Sequence, residues 1–165
     1  MQSLLVRQLL ALKEPAWVQR YPSDWLIWEP GAWKVPAVRG EVASTQIALA
    51  QSDRPLKGDC LCFELKSVAG AKLKIGRAPE NDIVLNDATV SREHLLLERK
   101  EQWMLHALPS SKTAMVRGRA LFPGLAVPLS SGDQLTIGGV TLTYLTPAGA
   151  LARLKSEAAM LLPKS

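Results

Sequence analysis

Eight short β-rich runs, each closed by a turn, limit what this chain can fold into. Between residues 59 and 147 they read CLCFELKS, KLKIG, DIVL, HLLLER, QWMLHAL, AMVRG, QLTIGG and VTLTYLT. Each has strand length and strand composition. Several strands at such short, regular spacing predict a β-sandwich or barrel. Gly70, Gly76, Gly118, Gly132 and the Gly138-Gly139 pair fall between the runs, where turns need them. TIGGVTL is a strand, Gly-Gly, strand signal for a hairpin.

The flanks have a different texture, so the chain divides into residues 1–58, 59–147 and 148–165. In the first part, SLLVRQLLALK carries leucines at 4, 5, 9 and 12, close to a helical stripe. Glu14-Pro15 is expected to end that helix, because a residue before proline avoids helical backbone. DWLIWEPGAWKVP reads as a hairpin, with Pro30-Gly31 at the centre of a type II turn. STQIALAQS reads as a further helical turn or two. Trp17, Trp25, Trp28 and Trp33 are expected to form the core of this part. At the other end, Thr146 suits a helix cap and Pro147 the first helical position. Leu151, Leu154, Ala158 and Leu161 then share a face, expected to pack on the body of the protein. There is no internal repeat and no low-complexity segment.

Composition excludes several classes. The net charge is +5, but residues 59–147 hold ten Lys/Arg against nine Asp/Glu, without the basic stripe of a nucleic-acid binder. No apolar run approaches the roughly 18 residues of a membrane span. Arg7 interrupts the apolar N-terminus and no small-x-small cleavage site follows, so a cytoplasmic protein is expected. Cys60 and Cys62 would share one face of a strand, a poor geometry for a mutual disulfide. With His94 and His106 far apart, there is no zinc framework either, and the cysteines read as small buried hydrophobes. No nucleophile–base–acid set and no P-loop is present, so neither an enzyme nor a cofactor is expected.

One stretch carries chemistry: GRAPENDIVLNDATVSREH, residues 76–94. Arg77 sits where a strand ends, and its planar fork of N–H donors suits an oxyanion. Ser91 follows a second turn, and its hydroxyl and nearby backbone N–H groups suit phosphate oxygens. Arg92 adds a second cation. LPSSKTA, with Ser111 and Lys112, forms a third loop. Loops at one end of a sandwich converge, so the three predict a single anion pocket. His94 begins the next strand, where a neutral imidazole braces a loop through backbone hydrogen bonds.

These residues, in this order, resemble the signature of the forkhead-associated (FHA) domain: Gly76-Arg77, then Asn81 to Leu85, then Ser91-x-x-His94, and finally LSSGDQLTIGGVTLTY as the closing hairpin. The resemblance covers about residues 59–147. It implies an eleven-stranded β-sandwich that reads phosphothreonine in partner proteins and does not catalyse. It further implies that Arg77 and Ser91 bind the phosphate, that Arg92 faces it, and that Gly76 and His94 shape and hold the loops. The implied partner is a Thr-phosphorylated protein or peptide, a Ser/Thr kinase or its substrate among them, as in bacterial members of the family. The third family motif, usually Ser/Thr-Asn-Gly-Thr, reads here Ser111-Lys112-Thr113-Ala114. Ser111 keeps a hydroxyl. Lys112 replaces an asparagine that grips the peptide backbone with a donor and an acceptor, whereas lysine has donors only. Losing that grip costs about 1–3 kcal/mol. The alternative to a phosphothreonine adaptor is a phosphorylation-independent interaction or assembly protein that uses the fold as a scaffold.

Overall fold

The computed structural model describes residues 2–31, 59–109 and 112–162. These residues form a two-sheet β-sandwich of eleven strands with a layer of two helices on one sheet. Helix α1 spans Gln2–Arg20. Strands follow as β1 (Asp24–Trp28), β2 (Leu61–Leu65), β3 (Lys72–Gly76), β4 (Ile83–Val84), β5 (Leu95–Arg99) and β6 (Trp103–Ala107). The remainder are β7 (Ala114–Val116), β8 (Arg119–Leu121), β9 (Ala126–Pro128), β10 (Gln134–Ile137) and β11 (Val140–Leu145), before helix α2 (Pro147–Leu161). One sheet runs β2-β1-β11-β10-β7-β8 and the other β4-β3-β5-β6-β9. The pairings are antiparallel except that of β3 with β4.

The period-2 pattern explains the core. Ile75, Leu95, Leu97, Trp103 and Leu105 from one sheet meet Leu26, Trp28, Leu135, Ile137 and Leu142 from the other, all buried. Strand β1 is buried on both faces. Leu26 and Trp28 point between the sheets, while Trp25 and Ile27 join Val6, Leu9, Trp17, Ala150, Leu154 and Ala158 under the helices. This is why WLIW is a continuous apolar run rather than an alternating one.

The expected hairpin is therefore a different object. DWLIW is a strand, but it pairs with β11 (Trp28↔Leu142) and β2 (Trp28↔Leu61). Trp33 and STQIALAQS lie outside the described residues. Trp17 and Trp25 are buried beneath the helices, whereas Trp28 belongs to the core between the two sheets rather than to a core of the N-terminal part. Helix α1 does not end at Glu14-Pro15. It breaks at Lys13, whose backbone is non-helical (φ 62°, ψ 162°), and resumes to Arg20. Pro15 sits in the first turn after the break, where its missing N–H costs nothing. The leucine stripe is also displaced: Val6 and Leu9 are buried, while Leu4 and Leu12 are exposed.

Helix α2 begins as expected, with Thr146 Oγ1 accepting from Gly149 N at 3.3 Å and Pro147 in its first turn. Leu154 and Ala158 are buried, but Leu161, assigned to the same face, is exposed in the last turn of the helix. Arg153 anchors the layer. Its guanidinium pairs with both carboxylate oxygens of Glu29, and its Nε donates to Gln2 Oε1 at 2.8 Å. Burial alone would raise the Glu29 pKa; the bonds from Arg153 and Thr143 override it and hold the carboxyl below its usual range. Cys60 is buried, Cys62 half-buried, and both are free thiols. Burial pushes them up to about 12 and about 11, so neither is a thiolate at neutral pH. No helix among the described residues is long and apolar enough to cross a membrane.

Candidate functional site

The register brings several segments to one end of the sandwich. Gly76 closes β3, residues 85–94 link β4 to β5, residues 108–113 link β6 to β7, and Gly138-Gly139 turns β10 into β11. Backbone bonds weld the first two: Arg77 N donates to Ser91 O (2.9 Å), Ala78 N to Arg92 O (3.0 Å) and Leu85 N to Gly76 O (2.9 Å). Gly76 is required by proximity rather than by φ. A Cβ there would lie 2.2 Å from Arg92 O and 2.8 Å from Asn81 Nδ2.

Asn81 is a second weld, unassigned from the sequence. It is buried, and its Nδ2 donates to Ala78 O at 2.8 Å and Arg92 O at 2.6 Å. Its neighbour Asp82 accepts from Lys74 N at 2.8 Å. A third weld is Thr89, whose Oγ1 lies 2.5 Å from Asp87 Oδ1 and accepts from Gly139 N at 2.7 Å. The Asn-Asp pair after a Gly-Arg was visible in the motif. Its structural role was not, because a side-chain bond across eleven residues leaves no periodic trace.

Among the predicted site residues, Arg77 is half-buried and its Nε donates to Val90 O at 3.1 Å, which aims the guanidinium. Its terminal nitrogens form no hydrogen bond or ion pair among the described residues. Ser91 lies across from it, and its Oγ accepts from Lys112 N at 3.0 Å. The Ser91 O–H is left for another acceptor. Arg92 and Lys112 are exposed at the same end; Ser111 lies outside the described residues. His94 is fully buried, and its Nδ1 accepts from Ser91 N at 2.9 Å. With Nδ1 as acceptor, a neutral ring carries its proton on Nε2. Nε2 faces the Lys112 backbone but reaches no partner with good hydrogen-bond geometry. Burial lowers the His94 pKa, the Lys112 backbone opposes that shift, and the Lys112 charge adds to it.

The site is thus an open loop surface. A cleft of about 510 Å³ lined by Val116, Arg117, Arg119, Ala120, Leu121 and Val127 belongs to the opposite end, at the β7–β8 hairpin. Among the described residues no group of three or more His, Cys, Asp or Glu is placed to hold a metal ion.

Residues 73–138 match the family model of the FHA domain. That segment carries the FHA-domain signature, and the β-sandwich around it has the fold of that family. Solved FHA domains share its architecture. One from a hypothetical protein of Arabidopsis thaliana is 26% identical, over 76% of this chain and 86% of its own, with a TM-score of 0.52. An engineered FHA domain solved with a Myc-pTBD peptide is 14% identical, over 81% of this chain and 98% of its own, with a TM-score of 0.52. The FHA domain of a Chlamydia trachomatis protein is 21% identical, over 74% and 97% respectively, with a TM-score of 0.49. No curated protein sequence matches the chain. The matched segment starts within β3 and ends at the β10–β11 turn, so β1, β2, β11 and both described helices of this chain lie outside it.

Proposed function

We propose that this β-sandwich is a phosphothreonine-dependent protein-binding module, an adaptor for Thr-phosphorylated partners in Ser/Thr-kinase signalling, with Arg77 and Ser91 holding the phosphate. The observation that carries this reading is the bond from Lys112 N to Ser91 Oγ, 3.0 Å. It fixes the serine oxygen with its own proton still to give, beside an arginine whose Nε is tied down and whose fork is not. A hydroxyl donor and a guanidinium fork together match a phosphate dianion in charge and in hydrogen-bond sense. The solved relative carrying a peptide has the same fold, which is consistent with this use.

The test is binding of an oriented phosphothreonine peptide library to the whole chain, with the unphosphorylated library as control. Arg77→Ala is expected to lower affinity at least a hundredfold, about 3 kcal/mol, by removing charged bonds to the phosphate. Its melting temperature should move little, because only the Nε–Val90 O bond is lost from the fold. Undiminished phosphopeptide binding in Arg77→Ala would sink the reading.

A second reading, a phosphorylation-independent assembly protein, is favoured by Lys112 standing where a two-way backbone clamp is expected. It requires a partner that binds equally before and after phosphatase treatment; release by phosphatase ends it.

A further inference from the structure

One phosphate does not account for the charge at this end of the sandwich. Arg77 and Arg92 stand on the two backbone stretches joined by the Arg77 N–Ser91 O and Ala78 N–Arg92 O bonds. Lys112 stands on the third loop, its backbone N–H on Ser91 Oγ. Among the described residues none of the three forms an ion pair. Three neighbouring acids are engaged elsewhere, Asp82 with Lys74 N, Asp87 with Thr89, and Glu93 with Lys74 Nζ at 2.9 Å, while Glu80 on the β3–β4 loop is exposed. A phosphothreonine brings about 1.5 to 2 negative charges at neutral pH, against three cations, so roughly one positive charge is left over.

We propose that Lys112 selects phosphothreonine peptides carrying a carboxylate side chain within a few residues of the phosphothreonine. The proposal rests on the phosphothreonine reading above and names the class of peptide that satisfies it. Three features single out Lys112 from the other two cations. Arg77 is aimed by its bond to Val90 O and is committed to the serine side of the site. Arg92 adjoins Ser91 itself. Lys112 reaches the site from the opposite loop, with its backbone fixed and its side chain exposed and untied. An ammonium is a point charge with donors only; it answers a carboxylate and cannot replace an amide that both donates and accepts along a peptide backbone. An extended peptide advances about 3.3–3.6 Å per residue, so a four-carbon stem starting beside the phosphate reaches side chains roughly one to three positions away.

The experiment is titration calorimetry on the full chain with an alanine-based phosphothreonine peptide. A companion set replaces one flanking residue, roughly one to three positions to either side, by aspartate, and each peptide is paired with its unphosphorylated form. At least one aspartate peptide is expected to bind about two- to fivefold tighter than the parent. That preference should shrink as salt rises from roughly 50 to 300 mM. The ratio of the two affinities should fall to about one in Lys112→Gln and persist in Lys112→Arg. Because the ratio is read within one variant, a general loss of affinity does not move it. Equal affinity for all phosphorylated peptides overturns the proposal and leaves the phosphothreonine reading standing. A preference that survives Lys112→Gln, or that disappears instead in Arg92→Gln, also overturns the proposal. Aspartate peptides that bind equally well without phosphate overturn the phosphothreonine reading, and binding of no peptide overturns both.

Discussion

Gly76 has no room for a side chain, and that single fact organises the site. A Cβ would fall 2.2 Å from Arg92 O, a backbone atom that cannot swing aside. Gly76→Ala must therefore push the Ser91–Arg92 loop away from Arg77. The expected cost is about 1–3 kcal/mol of stability, typical of overpacking, together with loss of phosphopeptide binding. A denaturant midpoint equal to that of the natural chain would refute the close approach. His94 gives a pH signature of the same loop. Its folded pKa is depressed by burial, so the unfolded chain takes up the proton first, near pH 6.5. The sign follows: stability is complete above that pH and is lost as pH falls through it toward the folded value. The melting temperature should drop between about pH 7.5 and 5.5, and the drop should be smaller in His94→Asn. That variant offers Ser91 N an amide acceptor without a titrating ring. An identical pH profile in the variant would remove His94 from the account. At this scale the Gly-Arg, the serine and the histidine were legible from their order in the sequence. Asn81 was legible only as a letter in a motif, because its bonds to Ala78 O and Arg92 O exist only once the turns have met.

Elements were legible in proportion to their length and to how many faces they bury. Strands β6 and β10 alternate along their whole length, whereas β5 and β11 alternate in burial only over their first three residues. Strands β8 and β9 leave no such pattern. Each has three residues, each is a sheet edge, and Phe122 and Leu125 between them are exposed, so RALFPGLAVP shows no alternation to detect. Helix α1 misled in a more instructive way. Glu14-Pro15 predicts a stop, whereas the break lies at Lys13 and proline begins the second segment. Lys13 adopts positive φ with extended ψ, a region where a side chain is strained by about 1–3 kcal/mol. Lys13→Gly removes that strain and costs about 0.5–1 kcal/mol in unfolded-chain entropy. The variant is therefore expected to be more stable by about 1 kcal/mol, a rise of a few degrees in melting temperature. A lower melting temperature would mean that the helix prefers to continue through Lys13 in solution.

The whole molecule is where a division at residue 58 meets the topology. The composition changes near residue 58, and the family match begins only at residue 73, yet β1 lies between β2 and β11 in the six-stranded sheet. Removing residues 1–58 would strip β11 of its partner at Trp25↔Leu145 through Trp28↔Leu142. It would also take Leu26 and Trp28 from the inter-sheet core, and Val6, Leu9, Trp17, Trp25 and Ile27 from beneath α2. Each large side chain of this kind contributes about 1.5–3 kcal/mol when buried, so their joint loss is as large as the roughly 5–15 kcal/mol by which a whole domain is stable. The fragment 59–165 is therefore expected not to fold, as read by near-ultraviolet circular dichroism or dispersed amide resonances. The complementary variant tests the same argument from the other side. Trp28 and Leu61 are paired neighbours on antiparallel strands, so residues 32–58 span the two ends of a hairpin. Replacing them by a short Gly-rich turn keeps every described strand and helix, and closing a shorter loop costs less entropy. That variant should fold with a melting temperature at or above that of the natural chain. A folded 59–165 fragment, or an unfolded loop-shortened chain, would show that the smallest folding unit is not the strand set from β1 to β11.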